Sequence, residues 1–241
     1  MNVFGDTNVG KVRENNEDSF FYSDEPVAGL PNLYIVADGM GGHKCGEVAS
    51  SKAIEFFREY LLEEPSDEGI MDRLVGAIVF ANRAVYEMSL TGEEYEGMGT
   101  TLSACSLDGN KLYIAHIGDS RIYAVNPDDA VQLTSDHSFI NEMVKNGQLS
   151  LEQARAHPQR HMLTRALGVE RYVQADGYIA ELASGTKVLL CSDGLSNMVA
   201  PPFFSKIASE SENNAEVVRR LIDEALENGG ADNCTVIVFD I

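Results

Sequence analysis

Positive charge is scarce in this chain. Of its 241 residues 18 are lysine or arginine, against 38 aspartates and glutamates, which gives a formal net charge of −20. So acidic a surface repels phosphate backbones and anionic headgroups, which excludes nucleic acid and anionic lipid as general partners. Long apolar runs are absent too: no stretch approaches the roughly 20 residues that cross a bilayer, so no membrane insertion is expected. Residues Met1 to Asp18 are polar and lack the basic start and apolar block of a secretory signal. The four cysteines, Cys45, Cys105, Cys191 and Cys234, contain no C-x-x-C pair. Cys191 and Cys234 sit in or beside apolar runs, which argues for buried free thiols rather than zinc ligands or disulfides. A reducing, cytoplasmic setting follows as the expectation. Repeats, low-complexity tracts and linkers are also missing, so one domain is expected over 1–241. With 44% hydrophobic and 23% charged residues, the chain has the balance of an ordinary globular protein with a sizeable core.

Periodicity supplies the elements. Ala49, Ala53, Phe56, Phe57, Tyr60 and Leu61 fall on one helical face. Met71, Leu74, Val75, Ile78 and Val85 mark a second helix ending near Ser89, after a turn over Glu63–Gly69. Val217, Val218, Leu221, Ile222, Ala225 and Leu226 mark a third, with Gly229-Gly230 as its stop. Strand character is found in Leu33–Ala37, Thr101–Leu107, Lys111–Ile117, Arg121–Val125, Lys187–Cys191 and Thr235–Phe239, with turn pairs such as Asp108-Gly109 and Gly118-Asp119 between some of them. Helices and strands do not alternate strictly, which disfavours a parallel βαβ sheet and favours packed sheets with helices outside. Residues 134–168 break the pattern and read as a mobile insertion near the site rather than core.

Three of the strand-like runs meet an acid. One runs into Asp38-Gly39, another into Asp193-Gly194, and a third begins just after Asp232-Asn233. A strand ending at an aspartate and an antiparallel one starting at an aspartate can bring both to one sheet edge. Converging carboxylates repel unless cations lie between them, and hard oxygen ligands suit magnesium or manganese. Asp-Gly alone is a common turn dipeptide, and its context is what counts. The bend Asp38-Gly39-Met40-Gly41-Gly42-His43 has neither G-x-x-x-x-G-K-[ST] nor G-x-G-x-x-G, and Asp38 would repel a bare phosphate. It reads as a metal platform with a backbone carbonyl as an extra ligand, rather than as a nucleotide cradle. Upstream, Arg13 stands beside Glu17 and Asp18, and its planar fork suits phosphoryl oxygens.

Taken together, Arg13-x-x-Asn16-Glu17-Asp18, Asp38-Gly39-Met40-Gly41-Gly42-His43, Gly99-Thr100-Thr101, Gly118-Asp119-Ser120-Arg121, Leu163-Thr164-Arg165-Ala166-Leu167-Gly168, Ser192-Asp193-Gly194 and Asp232-Asn233-Cys234-Thr235 form an ordered set spanning nearly the whole chain. Each motif is weak alone, and in this order they are specific. The set resembles the PPM-type, or type 2C, metal-dependent serine/threonine protein phosphatases. The Met40 form of the loop and the compact length resemble the bacterial branch.

The resemblance implies an α+β fold, a four-layer α-β-β-α sandwich of two mainly antiparallel sheets flanked by helices, with a metal centre at one sheet edge. It implies two or three Mn2+ or Mg2+ ions. Asp38 would bridge two of them, with the Gly39 carbonyl on one and Asp193 and Asp232 on the other. Glu17 would act through water, Asp18 from behind, and Asp119 with Asp193 at a third ion. Arg13 would take the substrate phosphate, and 134–168 would be the variable flap. A hydroxide bridging the ions would attack the phosphorus of phosphoserine or phosphothreonine directly, without a phosphoenzyme. The expected partners are phosphoproteins, substrates of a bacterial serine/threonine kinase and the kinase itself. His43 is either the acid that protonates the leaving group, an outer contact to the substrate, or a cap on the loop, with water on the ions then the donor. His116 reads as a satisfied core histidine rather than a catalyst, and Cys45 as packing at a helix start rather than a reactive thiol. A phosphoprotein-binding module on the same fold is the first rival, weakened by the complete set of acids. A nucleotide-binding enzyme is the second.

Overall fold

The run Leu33–Met40 shows how this chain comes to have four layers. Leu33, Ile35 and Ala37 pack into one cluster with residues of two helices, whereas Tyr34 and Val36 pack into another with the opposite sheet. Side chains alternate faces along a strand, so an uninterrupted apolar run is one buried on both sides. The structure is a computed structural model that describes residues 2–41, 45–63, 68–150, 153–154, 157–159 and 161–241.

One sheet carries β1 (Val3–Asn8), β7 (Arg121–Val125), β8 (Ala130–Gln132), β10 (Lys187–Cys191) and β11 (Cys234–Asp240), in the order β1-β11-β10-β7-β8. The other carries β2 (Asp18–Ser23), β3 (Leu33–Met40), β5 (Leu102–Asp108), β6 (Lys111–Ile117) and β9 (Asp176–Glu181), in the order β2-β3-β5-β6-β9, with β4 (Gly99–Thr100) paired to the end of β3. All the strand pairings described are antiparallel. Between the sheets Tyr34 stacks on Phe239 with ring centroids 3.9 Å apart.

The outer layers are amphipathic helices. Helix α1 (Cys45–Glu63) buries Ala49, Ala53, Phe57 and Leu61, and α2 (Ile70–Ser89) buries Leu74, Ala77, Ile78, Ala81 and Val85, both over the second sheet. On the far side α5 (Pro201–Glu210) and α6 (Asn214–Glu227) cover the first sheet through Phe204, Ile207, Val217, Val218 and Leu221. Asn213 caps α6 by accepting from Glu216 N at 3.0 Å. Among the described residues, the shorter helices α3 (Phe139–Lys145) and α4 (Asp193–Ser196) lie between these pairs in sequence. The four cysteines are buried and free, as expected of Cys191 and Cys234. No helix among the described residues is long and apolar enough to cross a membrane.

Segment 134–168 departs from the expectation of an insertion lying outside the core. Its two roots are built in: His137, Ser138 and Leu167 are buried, and Leu167 bridges to Thr100. Part of its middle lies outside the described residues, as does part of the expected turn over 63–69.

Candidate metal centre

Both sheets end at the same cavity, of about 400 Å³, lined by Arg13, Glu17, Asp38, Asp119, Asp193 and Asp232 among others. Asp193 follows β10, and Asp232 lies just before β11, β10's antiparallel neighbour. Asp38 comes from the facing sheet, so the aspartates expected along one edge arrive from the common end of two. Nor is Asp38 strand-terminal, because β4 pairs with Gly39 and Met40 and carries β3 onward. Asp18 sits directly opposite Asp38 on β2.

Neither Asp-Gly pair is a turn. Gly39 lies within β3, where a Cβ would strike the carbonyls of Gly46 and Glu17. Gly194 lies in α4, where a Cβ would land on the carbonyl of Asn233. Each glycine lets a neighbouring chain approach the adjacent aspartate. Asp38 is held through its backbone: its N–H donates to Thr101 Oγ1 at 2.9 Å, and its carbonyl accepts from Thr101 N and Thr100 Oγ1, each at 2.9 Å. Asn233 ties three segments together, accepting from Glu17 N at 2.8 Å and donating to the carbonyls of Val9 and Asn15 at 2.9 Å each.

The electrostatics are those of excess negative charge out of water. Burial, reinforced by Asp18, Asp193, Asp119 and Asp232, pushes Asp38 well above the usual carboxylate range. Burial likewise lifts Asp119, with Asp193 and Asp136 adding to it and Arg121 opposing. Asp18 is pushed up to about 7 by burial, against hydrogen bonds from the hydroxyls of Thr235 and Ser192, each at 2.7 Å to Oδ2. Glu17 is raised by burial, with Arg13 pulling it down. The cation at the rim is Arg13, whose Nη2 donates to Asp232 Oδ2 at 2.7 Å.

This donor set fits hard divalent cations. Asp18 Oδ1 is buried with no hydrogen-bond partner among the described residues, and such an atom calls for an unseen cation or water. No group of three acidic, histidine or cysteine side chains among the described residues is gathered tightly enough to hold a metal as it stands. An ion that keeps several of its waters, as magnesium does, needs only one or two direct carboxylates.

Of the residues singled out from the sequence, Arg13, Glu17, Asp38, Gly39, Asp119, Asp193 and Asp232 line the cavity, and Asp18 lies behind it. His43 lies outside the described residues. His116 is in the core: its Nδ1 pairs with Ser103 Oγ at 2.8 Å, while Nε2 is buried with no well-formed hydrogen bond among the described residues. Thr101, Ser192, Asn233 and Thr235 stood inside the quoted motifs without a role. Their signal was a small polar side chain at the tip of an apolar strand. His161, whose Nδ1 is 3.8 Å from Asp193 Oδ2, comes from a stretch with no periodicity and gave no signal.

Comparison with known proteins agrees with this geometry. Residues 10–228 match the family model described as Protein phosphatase 2C. The serine/threonine protein phosphatase PstP of Mycobacterium tuberculosis is 39% identical over 232 residues, covering 96% of this chain and 43% of that protein. The chain thus spans less than half the length of that relative. The structure of the Streptococcus agalactiae serine/threonine phosphatase superposes with a TM-score of 0.91 at 36% identity, covering 99% of each chain. The catalytic domain of PstP in complex with two manganese ions superposes with a TM-score of 0.85 at 35% identity, over 99% of this chain and 96% of that one.

Proposed function

The chain belongs to the protein phosphatase 2C family of metal-dependent serine/threonine protein phosphatases, and on that premise we propose that it hydrolyses phosphoserine and phosphothreonine on other proteins by direct attack of water on phosphorus, without a phosphoenzyme. The observation that carries this reading is the mutually repelling set of Asp18, which is buried, and Asp38, Asp119, Asp193 and Asp232, which are half-buried, flanked by Arg13. Such a set is unfavourable alone and becomes favourable around divalent ions.

Phosphate monoesters hydrolyse extremely slowly in water, so the site has to supply many kcal/mol of barrier lowering. Two manganese or magnesium ions would supply an activated water and neutralise the phosphoryl oxygens. Asp38 would be shared between them, with the Gly39 carbonyl on one and Asp193 and Asp232 on the other. Glu17 would act through water and Asp18 from behind, while Asp119 with Asp193 would hold a third ion.

The chain's own groups do the rest. The Arg13 fork donates to phosphoryl oxygens, exchanging its bond to Asp232 for substrate. Thr100 and Thr101 fix the Asp38 backbone so that its carboxylate need not reorganise when charge develops. Ser192 and Thr235 hold one oxygen of Asp18 and leave the other facing the deficit.

In this reading 1–241 forms one phosphatase domain and 134–168 its flap. The substrates would be proteins phosphorylated by a bacterial serine/threonine kinase, with the kinase among them, in the cytoplasm. Support for phosphoprotein substrates is the phosphatase name of the mycobacterial relative.

The test is phosphate release from a phosphothreonine peptide with manganese, with chelator, and with Asp193→Asn. Turnover that needs manganese and collapses in the variant supports the reading. Turnover that survives both chelator and substitution refutes it. Peptide binding without turnover would move the assignment to a phosphoprotein-binding module.

A further inference from the structure

The first root of segment 134–168 meets the site next to Asp119, and one histidine makes the join. His137 is 2% exposed. Its backbone N–H donates to Gly118 O at 2.8 Å, and its Nδ1 accepts from Gly118 N at 3.1 Å. Both backbone polar groups of Gly118 therefore go to a single residue. An accepting Nδ1 puts the proton of the neutral ring on Nε2. That atom lies 3.2 Å from Asp176 Oδ2, off the line of a good hydrogen bond. Asp176 is held in turn by Arg165 Nη1 at 2.7 Å and the Tyr178 hydroxyl at 2.8 Å. The returning limb is tied to the same histidine, because Thr164 N donates to His137 O at 2.8 Å.

Asp119 is clamped from its other side as well. Ser120 Oγ pairs with Thr101 Oγ1 at 2.6 Å, and Ser120 O accepts from Ser103 Oγ at 3.1 Å. Thr101 is the residue that holds the Asp38 N–H. Gly118 has φ +106° and a Cβ there would overlap Thr101, which restricts the shape of the turn. The Ser120 clamp belongs to the floor of the cavity, whereas the His137 clamp reaches the 134–168 segment.

We propose that His137 is the positioning residue that couples segment 134–168 to the ion position at Asp119, acting on Gly118 through both its backbone N–H and its Nδ1, tied to the returning limb through its carbonyl, and facing Asp176, which Arg165 holds. A movement of the 162–165 limb is then felt as a change in how tightly Asp119 holds its ion, and occupancy of that ion is felt by the limb. Side chains that orient a metal ligand without touching the metal commonly change affinity by about 10–100-fold when lost. This inference rests on Asp119 being an ion ligand, as in the reading above.

The test is a calorimetric Mn2+ titration of the full chain without substrate, with thermal melts as the folding control. Asp119→Asn should remove the weakest binding step. His137→Ala should weaken that step by about tenfold and leave the tighter steps unchanged. His137→Asn keeps an acceptor at the Nδ1 position and loses the reach to Asp176, so it should fall between wild type and alanine. Asp176→Asn should weaken the same step several-fold, and it decides the matter alone if His137→Ala does not fold. A lowered melting temperature with an unmoved weak step would make His137 merely structural and overturn the inference. If Asp119→Asn itself leaves every step unchanged, the ion assignment fails and the coupling fails with it. If Asp119→Asn abolishes the step while the His137 and Asp176 variants leave it intact, the coupling alone fails.

Discussion

Asp18 and Asp38 are cross-strand partners, directly opposite one another on β2 and β3. Like charges in that register oppose pairing, and here burial removes the water that would screen them. The metal-free protein should therefore be strained at this pair, and the holo protein relieved of it. Chelator should lower the melting temperature of the wild type. Metal-free Asp38→Asn should melt above metal-free wild type, with a gain of about 1 kcal/mol, or roughly 2–4 °C for a chain of this size. Manganese should reverse that order. Differential scanning calorimetry with and without chelator decides it, and a metal-free variant that melts lower would show that repulsion is not the governing cost.

Arg13 offers a separate handle because it is half exposed and its partner Asp232 keeps other bonds. Asp232 Oδ1 accepts from Asn233 N at 2.9 Å, so removing the guanidinium should not collapse the site. Losing a charged hydrogen-bond donor to phosphate costs about 1.5–3 kcal/mol, which corresponds to a fall in kcat/KM on a phosphothreonine peptide of about 10–150-fold for Arg13→Ala. Arg13→Lys should recover part of this, since lysine keeps the charge and loses the fork. Steady-state kinetics at saturating manganese would read both, and equal activity of all three proteins would remove Arg13 from phosphate binding.

Strands buried on both faces were legible in the sequence because their apolar runs are continuous: Lys111–Ile117, Arg121–Val125 and Lys187–Cys191 fall where the pattern put them. The edge strands β1 and β2 escaped, since one flank of each faces polar loops or solvent and their residues are mixed. So did β9, whose alternate residues are exposed over a run of six. Helix α5 was hidden by Pro201-Pro202, which reads as a break and is in fact a helix start, where a missing N–H costs nothing. At the site, the aspartates announced themselves by following or preceding apolar runs. The glycines beside them were ambiguous. A turn glycine and a close-approach glycine look alike until the chain that crosses over them is known.

Gly194 makes that distinction measurable. Its backbone does not need positive φ, so a turn interpretation predicts that alanine is tolerated. The structure instead places the Asn233 carbonyl where the Cβ would go. Gly194→Ala should push α4 away from the 232–233 segment and cost about 1–3 kcal/mol, as overpacking commonly does. Asp193 and Asp232 would separate as a result, so manganese affinity should fall along with stability. Denaturant melts and manganese titration of the variant check the two effects, and near-wild-type values in both would mean that the segments shift apart freely.

His116 should give the folded state a defined sensitivity to acid. Burial, followed by the neighbouring His137, lowers its pKa from 6.5 to about 3. In the unfolded chain the imidazole takes up a proton as the pH falls through about 6.5, while in the folded chain it stays neutral down to about 3. Between those limits the unfolded state binds the extra proton. Stability from this group is therefore complete above pH 6.5 and declines as the pH drops, with a limiting slope of about 1.4 kcal/mol per pH unit. His116→Asn retains a polar atom that can meet Ser103 and removes the titration. Urea unfolding of both proteins from pH 7.5 to 5.5 should show the wild type losing stability faster, so that the gap between them narrows as the solution becomes more acidic. A gap that stays constant across that range would mean His116 is not held neutral in the fold.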